Sequence, residues 1–176
     1  MPEPDLREII SARHAPDARA AQRSGAKAML AEAAAVVRAP KDTVCGVYAA
    51  YQNWPGLFPT ISGVRLVSRD GPKLALEVDH AEGTVPNELI LRCPDDIDLW
   101  EIKRRYDACF HNRFVTIPGG TLFVVTGEVW PKGWARLLRP FLPGYMRAQM
   151  RRLQLRPVQA AAETQAQRAG QGDDQR

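Results

Sequence analysis

The stretch FHNRFVTIPGGTLFVVTGEVW, Phe110 to Trp130, decides how this chain folds. Its side chains alternate on either side of Pro118-Gly119-Gly120, so it reads as two antiparallel strands joined by a tight turn. Working upstream, Arg69-Asp70-Gly71-Pro72 separates residues 64–67 from 73–80, and the Asp-Gly pair is a strong hairpin signal. Cys93-Pro94-Asp95-Asp96 in turn separates residues 84–92 from 99–107, and 110–117 comes next. At least six strands in a meander with short turns predict one antiparallel sheet.

The segments around this sheet are less regular. KAMLAEAAAVVRAP, from Lys27, favours helix by its alanines and strand by Val36-Val37. Residues 42–53 read as helix, with Asp42 as its N-cap, and Pro55 and Pro59 interrupt the next few residues. From Trp134 onward the pattern is helical again. Pro140 and Pro143 set off a short piece from a longer helix that begins near Gly144, whose Met146, Met150 and Leu153 share a stripe. Pro157 either kinks or ends that helix. Residues 1–26 read as an arm interrupted by proline. Residues 164–176 collect Gln, Gly and Asp and read as a disordered tail.

The chain has 176 residues, 45% of them hydrophobic, enough for one domain with a buried core. Net charge is +4 but unevenly spread: seven Lys or Arg and no acid lie between Val129 and Ala162, so the rest carries a slight acidic excess. One end therefore attracts anions, whether a lipid surface, a phosphate-bearing ligand, nucleic acid or an acidic partner. Cys45, Cys93 and Cys109 are scattered and indicate neither a disulfide framework nor a zinc knuckle. With no apolar run near the roughly 20 residues that cross a bilayer, a cytoplasmic protein is expected.

Several features occur together in an order that resembles the START-like, or SRPBCC, superfamily, including its polyketide cyclase/dehydrase-like and coenzyme-Q-binding branches. Ala39-Pro40 lies before a short helix, Trp54-Pro55 and Pro59 before the second strand, and Gly120-Thr121 opens the last strand. The resemblance covers residues 27–163 and implies an α+β helix-grip fold: a curved antiparallel sheet of about seven strands wrapped around a long C-terminal helix, with two short helices after strand one. It makes residues 27–38 strand one, and it implies a cavity between sheet and helix. Superfamily members bind lipids, sterols, quinones and polyketides, and only some are catalysts, so fold alone does not give function.

Alternation nominates site residues. On the strand at 99–107, Trp100, Ile102, Arg104 and Tyr106 share one face. An Arg among apolar groups needs an acceptor such as Glu88, Glu128 or a ligand oxygen, unless it snorkels outward. Glu128 shares a face with Leu122, Val124 and Trp130, where burial would raise its pKa. His80 ends the apolar series Leu74, Leu76, Val78, and His111 sits with Cys109 and Arg113, while Asn112 goes with Phe110 and Phe114. Arg104, Tyr106 and Glu128 are thus the catalytic candidates. Trp100, Ile102, His80, His111, Phe114, Trp130, Phe141, Met146 and Met150 are the ligand-binding ones. Neither a metal nor a nucleotide cofactor is indicated, since Cys109-x-His111 is an isolated fragment.

WPKGWARLLRPFLPGYMR, from Trp130, pairs aromatic with basic residues, which suits either an anionic membrane interface or a helix start seated on the sheet. The leading expectation is a protein that holds a lipid, quinone or polyketide-like molecule in an internal cavity. A polyketide cyclase, aromatase or dehydrase is the alternative. An interaction protein working through its basic C-terminal helix is the third reading, and nucleic acid is disfavoured because no aromatics interleave with the cations on a strand. Oligomeric state is not legible.

Overall fold

The computed structural model describes residues 28–173, and the expected arm at 1–26 lies outside them. In order the elements are β1 (Met29–Val37), α1 (Lys41–Ala49), a 3-10 turn (Tyr51–Asn53), α2 (Trp54–Leu57), β2 (Ile61–Asp70), β3 (Lys73–His80), β4 (Gly83–Arg92), β5 (Asp96–Ile102), β6 (Tyr106–Ile117) and β7 (Gly120–Pro131). A second 3-10 turn (Gly133–Leu138) then leads into α3 (Leu142–Met150), a π-helical turn (Arg151–Leu155) and α4 (Arg156–Asp173). The strands make one antiparallel sheet in the order β1-β7-β6-β5-β4-β3-β2. It curves around the C-terminal helix, which is the helix grip.

β1 forms although its alanines favour helix. All nine of its residues pair with β7, Met29 opposite Val129 through Val37 opposite Thr121, and this pairing overrides local propensity. The alanines serve packing: Ala31 and Ala33 are buried on the inner face, where small side chains let the C-terminal helix approach. Gly120-Thr121 also has a physical reason. A Cβ on Gly120 would lie 2.2 Å from the Val37 carbonyl oxygen, and the buried Thr121 hydroxyl donates to the Ala39 carbonyl at 2.8 Å. The end of β1 therefore crosses β7 with no room for a side chain. Beside this crossing Trp54 fixes α2 to α1, its indole N–H donating to the Tyr48 carbonyl at 2.8 Å while the two rings meet edge to face.

The C-terminal helix is held chiefly along its second half. Leu155, Val158 and Ala162 are fully buried, Gln159 donates to the Val36 carbonyl at 3.0 Å, and the Arg38 amide donates to Glu163 at 3.0 Å. The first half contributes Met146 and Met150 to the core, plus one exposed bond from Arg147 to the Glu32 carbonyl. Between the halves lies the π-helical turn, followed by Pro157. Proline brings no N–H for the Leu153 carbonyl and its ring crowds that group, so a widened turn is the local answer. Pro157 thus neither ends the helix nor breaks it.

Four expectations are corrected. Residues 99–107 are not one strand: Lys103, Arg104 and Arg105 form the turn between β5 and β6, closed by the Lys103 amide on the Tyr106 carbonyl. Arg104 and Arg105, both exposed, prefer water to a ladder. Asp42 lies inside the first turn of α1, and Pro40 takes the N-cap position. The helix continues to Asp173, past the point where 164–176 was expected to be unstructured. Finally, Cys45 and Cys93 form a disulfide, their Cα atoms 5.8 Å apart. The two are 48 residues apart in sequence and meet only because α1 docks over the β4–β5 turn, where Lys41 also pairs with Asp95 at 2.7 Å. Cys109 is buried and takes no part in the bridge.

A disulfide closing a loop of this length stabilises by about 2–4 kcal/mol. Under non-reducing conditions, the intact mass should show one bridge. Dithiothreitol should lower the thermal midpoint of the native protein but leave that of Cys93→Ser unchanged.

Candidate functional site

Strand register sorts the side chains into rows, because directly paired residues of adjacent strands point to the same face. On the inner face one row runs Ala31, Gly127, Phe110, Leu99, Leu89, Leu74. The row toward α1 runs Ala33, Val125, Asn112, Ile97, Leu91. The row on the other side runs Met29, Val129, Ala108, Glu101, Asn87, Leu76. The middle row is bare at Gly127, and α3 fills the gap. A Cβ there would lie 3.0 Å from Met150 Sδ, 3.3 Å from Met146 Cε and 3.3 Å from Phe110 Cε1. This niche is apolar and central, and the ends of two flexible thioether side chains and the edge of the Phe110 ring reach into it.

Polar groups border it. Asn112 is wholly buried and its Nδ2 donates to the carbonyls of Ile97 at 3.2 Å and Phe110 at 3.1 Å and to the Tyr48 hydroxyl at 3.3 Å. Glu101 is buried on the far side and pairs with Lys103 at 3.1 Å, whose ammonium lies 5.4 Å over the Tyr106 ring. Burial first, and the Glu101 carboxylate second, push the phenols of Tyr48 and Tyr106 above their ordinary value. Both therefore remain O–H groups. For Lys103 burial works against the charge, but Glu101 and Tyr106 together outweigh it and its pKa is raised. Two grooves open at the surface: about 590 Å³ between α2 and α4, and about 480 Å³ beside the β4–β5 turn. Neither groove is the expected cavity between sheet and helix; there Met146 and Met150, with the aromatic cluster of Tyr48, Trp54, Phe58 and Phe123, pack the inner face.

The structure scatters the sequence-nominated residues. Tyr106, Phe114, Met146 and Met150 face inward, and His80 sits at the rim with Nδ1 3.1 Å from the Thr60 carbonyl. Trp100, His111, Glu128 and Trp130 lie on the opposite, outer face, where Trp100 stacks on Trp130 at 5.8 Å. Ile102 is on that outer face and exposed, Phe141 is exposed, and Arg104 is exposed in the cationic turn. Arg104, Tyr106 and Glu128 are therefore not gathered around one point. The error came from carrying strand alternation through the 103–105 turn, which put Trp100 and Tyr106 on one face. Glu88, a candidate partner for Arg104 by sequence, pairs instead with Lys73 at 2.7 Å.

The outer face has its own polar network. His111 Nδ1–H donates to Asp98 at 2.8 Å, Arg92 donates to the other Asp98 oxygen at 2.5 Å, and Cys109 Sγ lies 4.0 Å from the same histidine nitrogen. Burial would raise the Asp98 pKa, but these bonds outweigh it and the net shift is downward. A depressed carboxylate adds stability above its unfolded pKa and loses it as pH falls through the acid range. Histidine presents one nitrogen to both groups, so this is not a relay from base to nucleophile. It is an electrostatic tie between β4, β5 and β6. Among the described residues no three His, Cys, Asp or Glu gather to hold a metal, and no helix is long and apolar enough to cross a membrane.

This architecture recurs in solved structures. The di-domain aromatase/cyclase StfQ from the steffimycin biosynthetic pathway superposes with a TM-score of 0.65 at 17% identity, over 82% of this chain and 52% of that one. The fold is the START-like helix grip. The START superfamily protein from Mycobacterium smegmatis matches with a TM-score of 0.55 at 16% identity, covering 80% of this chain and 98% of that one. The Zhui aromatase/cyclase from Streptomyces sp. R1128 gives a TM-score of 0.63 at 16% identity, over 80% of this chain and 94% of that one. This chain thus spans about half the length of StfQ and nearly all of the single-domain helix grips. No family model and no curated protein sequence matches it.

Proposed function

We propose that the protein binds an apolar small molecule, of lipid, quinone or polyketide-like character, between the sheet and α3 in the Gly127 niche. One observation carries the reading: at the centre of the inner face a strand position has no side chain, and two methionines from the less firmly held half of the helix fill its place. A ligand need displace only those side chains and shift α3 about the π-helical turn, leaving the α4 anchors at Gln159 and Glu163 intact. Removal of apolar ligand area from water, about 25 cal/mol per Å², would supply the affinity. The likeness to aromatase/cyclases supports a ligand-binding role for the fold. Catalysis by Arg104, Tyr106 and Glu128 together has no support in their placement, and ligand holding is the reading the geometry favours.

The segment before α3 gives the ligand a route. Trp134, Leu137, Phe141 and Tyr145 are 60%, 81%, 76% and 61% exposed, with Lys132, Arg136 and Arg147 among them and no acid from Val129 to Ala162. Aromatic and basic groups side by side suit an anionic lipid surface, and contact there would place the mobile end of the site against the membrane. Binding to vesicles containing phosphatidylserine, weakened by salt and by Phe141→Ser, is the expected outcome. Equal binding to phosphatidylcholine vesicles would refute the charge argument.

The niche is tested by titration with the fluorescent probe N-phenyl-1-naphthylamine. Gly127→Val fills the gap from below at a stability cost of about 1–3 kcal/mol and should weaken probe binding at least tenfold. Met150→Ala opens the gap and should tighten it. Unchanged affinity in a folded Gly127→Val protein would remove the site.

A further inference from the structure

The row next to Gly127 contains a polar atom that the fold itself does not use. Asn112 Nδ2 is fixed in orientation by two backbone carbonyls and the Tyr48 hydroxyl, so its oxygen is the remaining atom. That Oδ1 is buried and accepts no hydrogen bond. A buried acceptor left without a donor is unfavourable, a cost that a leucine of similar shape would not bear. Tyr48 shows the complementary arrangement: its oxygen accepts from Asn112, and among the described residues its proton is given to no acceptor. An acceptor and a donor therefore lie side by side in an otherwise apolar interior.

Their place relative to the niche is set by the sheet. Asn112 and Phe110 are two residues apart on β6 and face inward together, with Val125 and Gly127 opposite them. Two residues along a strand span roughly 7 Å. A molecule seated over Gly127 thus reaches Asn112 with a substituent about one ring away, on the side toward α1.

Building on the ligand site above, we propose that Asn112 and Tyr48 form its polar end and select a ligand bearing a hydroxyl group, phenolic, enolic or alcoholic, attached to an apolar skeleton. Such a hydroxyl donates to Asn112 Oδ1 and accepts from the Tyr48 O–H. A carboxylate fits badly, because it has no proton for Oδ1 and would meet the field of the buried Glu101 that also acts on Tyr48. A ketone satisfies Tyr48 alone. The sequence offered a weak signal for this pair: Asn112 alternates with Phe110 and Phe114, a polar residue within an apolar series. Tyr48 lies on a helix with no spacing that ties it to β6.

The test compares naphthalene with 2-naphthol, which share a skeleton and differ by one hydroxyl, in the native protein, Asn112→Leu and Tyr48→Phe. A purely apolar site favours naphthalene, because the hydroxyl must be desolvated. The proposal expects the native protein to prefer 2-naphthol at least tenfold. Asn112→Leu should abolish that preference without weakening naphthalene, and Tyr48→Phe, which removes one oxygen only, should reduce it part way. Equal binding of the two probes, or a preference that survives both substitutions, overturns the polar end and leaves the Gly127 niche standing, with Asn112 Oδ1 then serving at most a trapped water. Failure of the native protein to bind either probe overturns the ligand site as well.

Discussion

The contact of Met146 and Met150 with the bare backbone at Gly127 joins helix to sheet at the middle of the molecule. Everything on the inner face is arranged around it: apolar rows to either side, Asn112 and Tyr48 toward α1, Glu101 and Lys103 toward the cationic turn. A larger side chain at position 127 would lift the helix, and stiffer ones at 146 and 150 would lock it. Thioether side chains fill irregular space at low cost and rearrange easily. The interior is therefore closed without being rigidly interlocked.

The helix that carries the methionines is built in two unequal parts. Beyond the π-helical turn, α4 is bound to β1 by side-chain to backbone hydrogen bonds and by residues with no exposed surface. Before that turn, α3 begins after Pro140 and Phe141 in a segment whose large side chains face water. The irregularity between the two parts has an identifiable cause in Pro157. The outer-face tie of Asp98 with His111 and Arg92, and the Cys45–Cys93 bridge, hold the opposite wall of the grip. The anchoring bonds thus lie in the sheet and α4, while α3 rests on β1 chiefly through Met146 and Met150.

Much of this was legible in the chain. The hairpin at 110–130, the Asp-Gly turn and the alternation of β3 come from local chemistry, and the Gly120-Thr121 motif has its explanation in the Val37 crossing. Three matters were not legible. Which face of a strand is inner depends on where the preceding turn falls, and a turn of Lys103, Arg104 and Arg105 with neither Gly nor Pro gives no punctuation. The Cys45–Cys93 bridge needs the docking of α1, a tertiary event between residues far apart in sequence. The Gly127 niche is invisible because a glycine inside a strand signals a bulge as readily as a close approach, and only the position of the helix distinguishes them.

Hydrogen exchange along the C-terminal helix tests the two-part helix most directly. The account predicts that the amides of 146–150 exchange through a shared opening well before those of 158–163, and that a bound apolar probe slows the first group while leaving the second unchanged. Uniform protection from 146 to 163, unaffected by the probe, would contradict it.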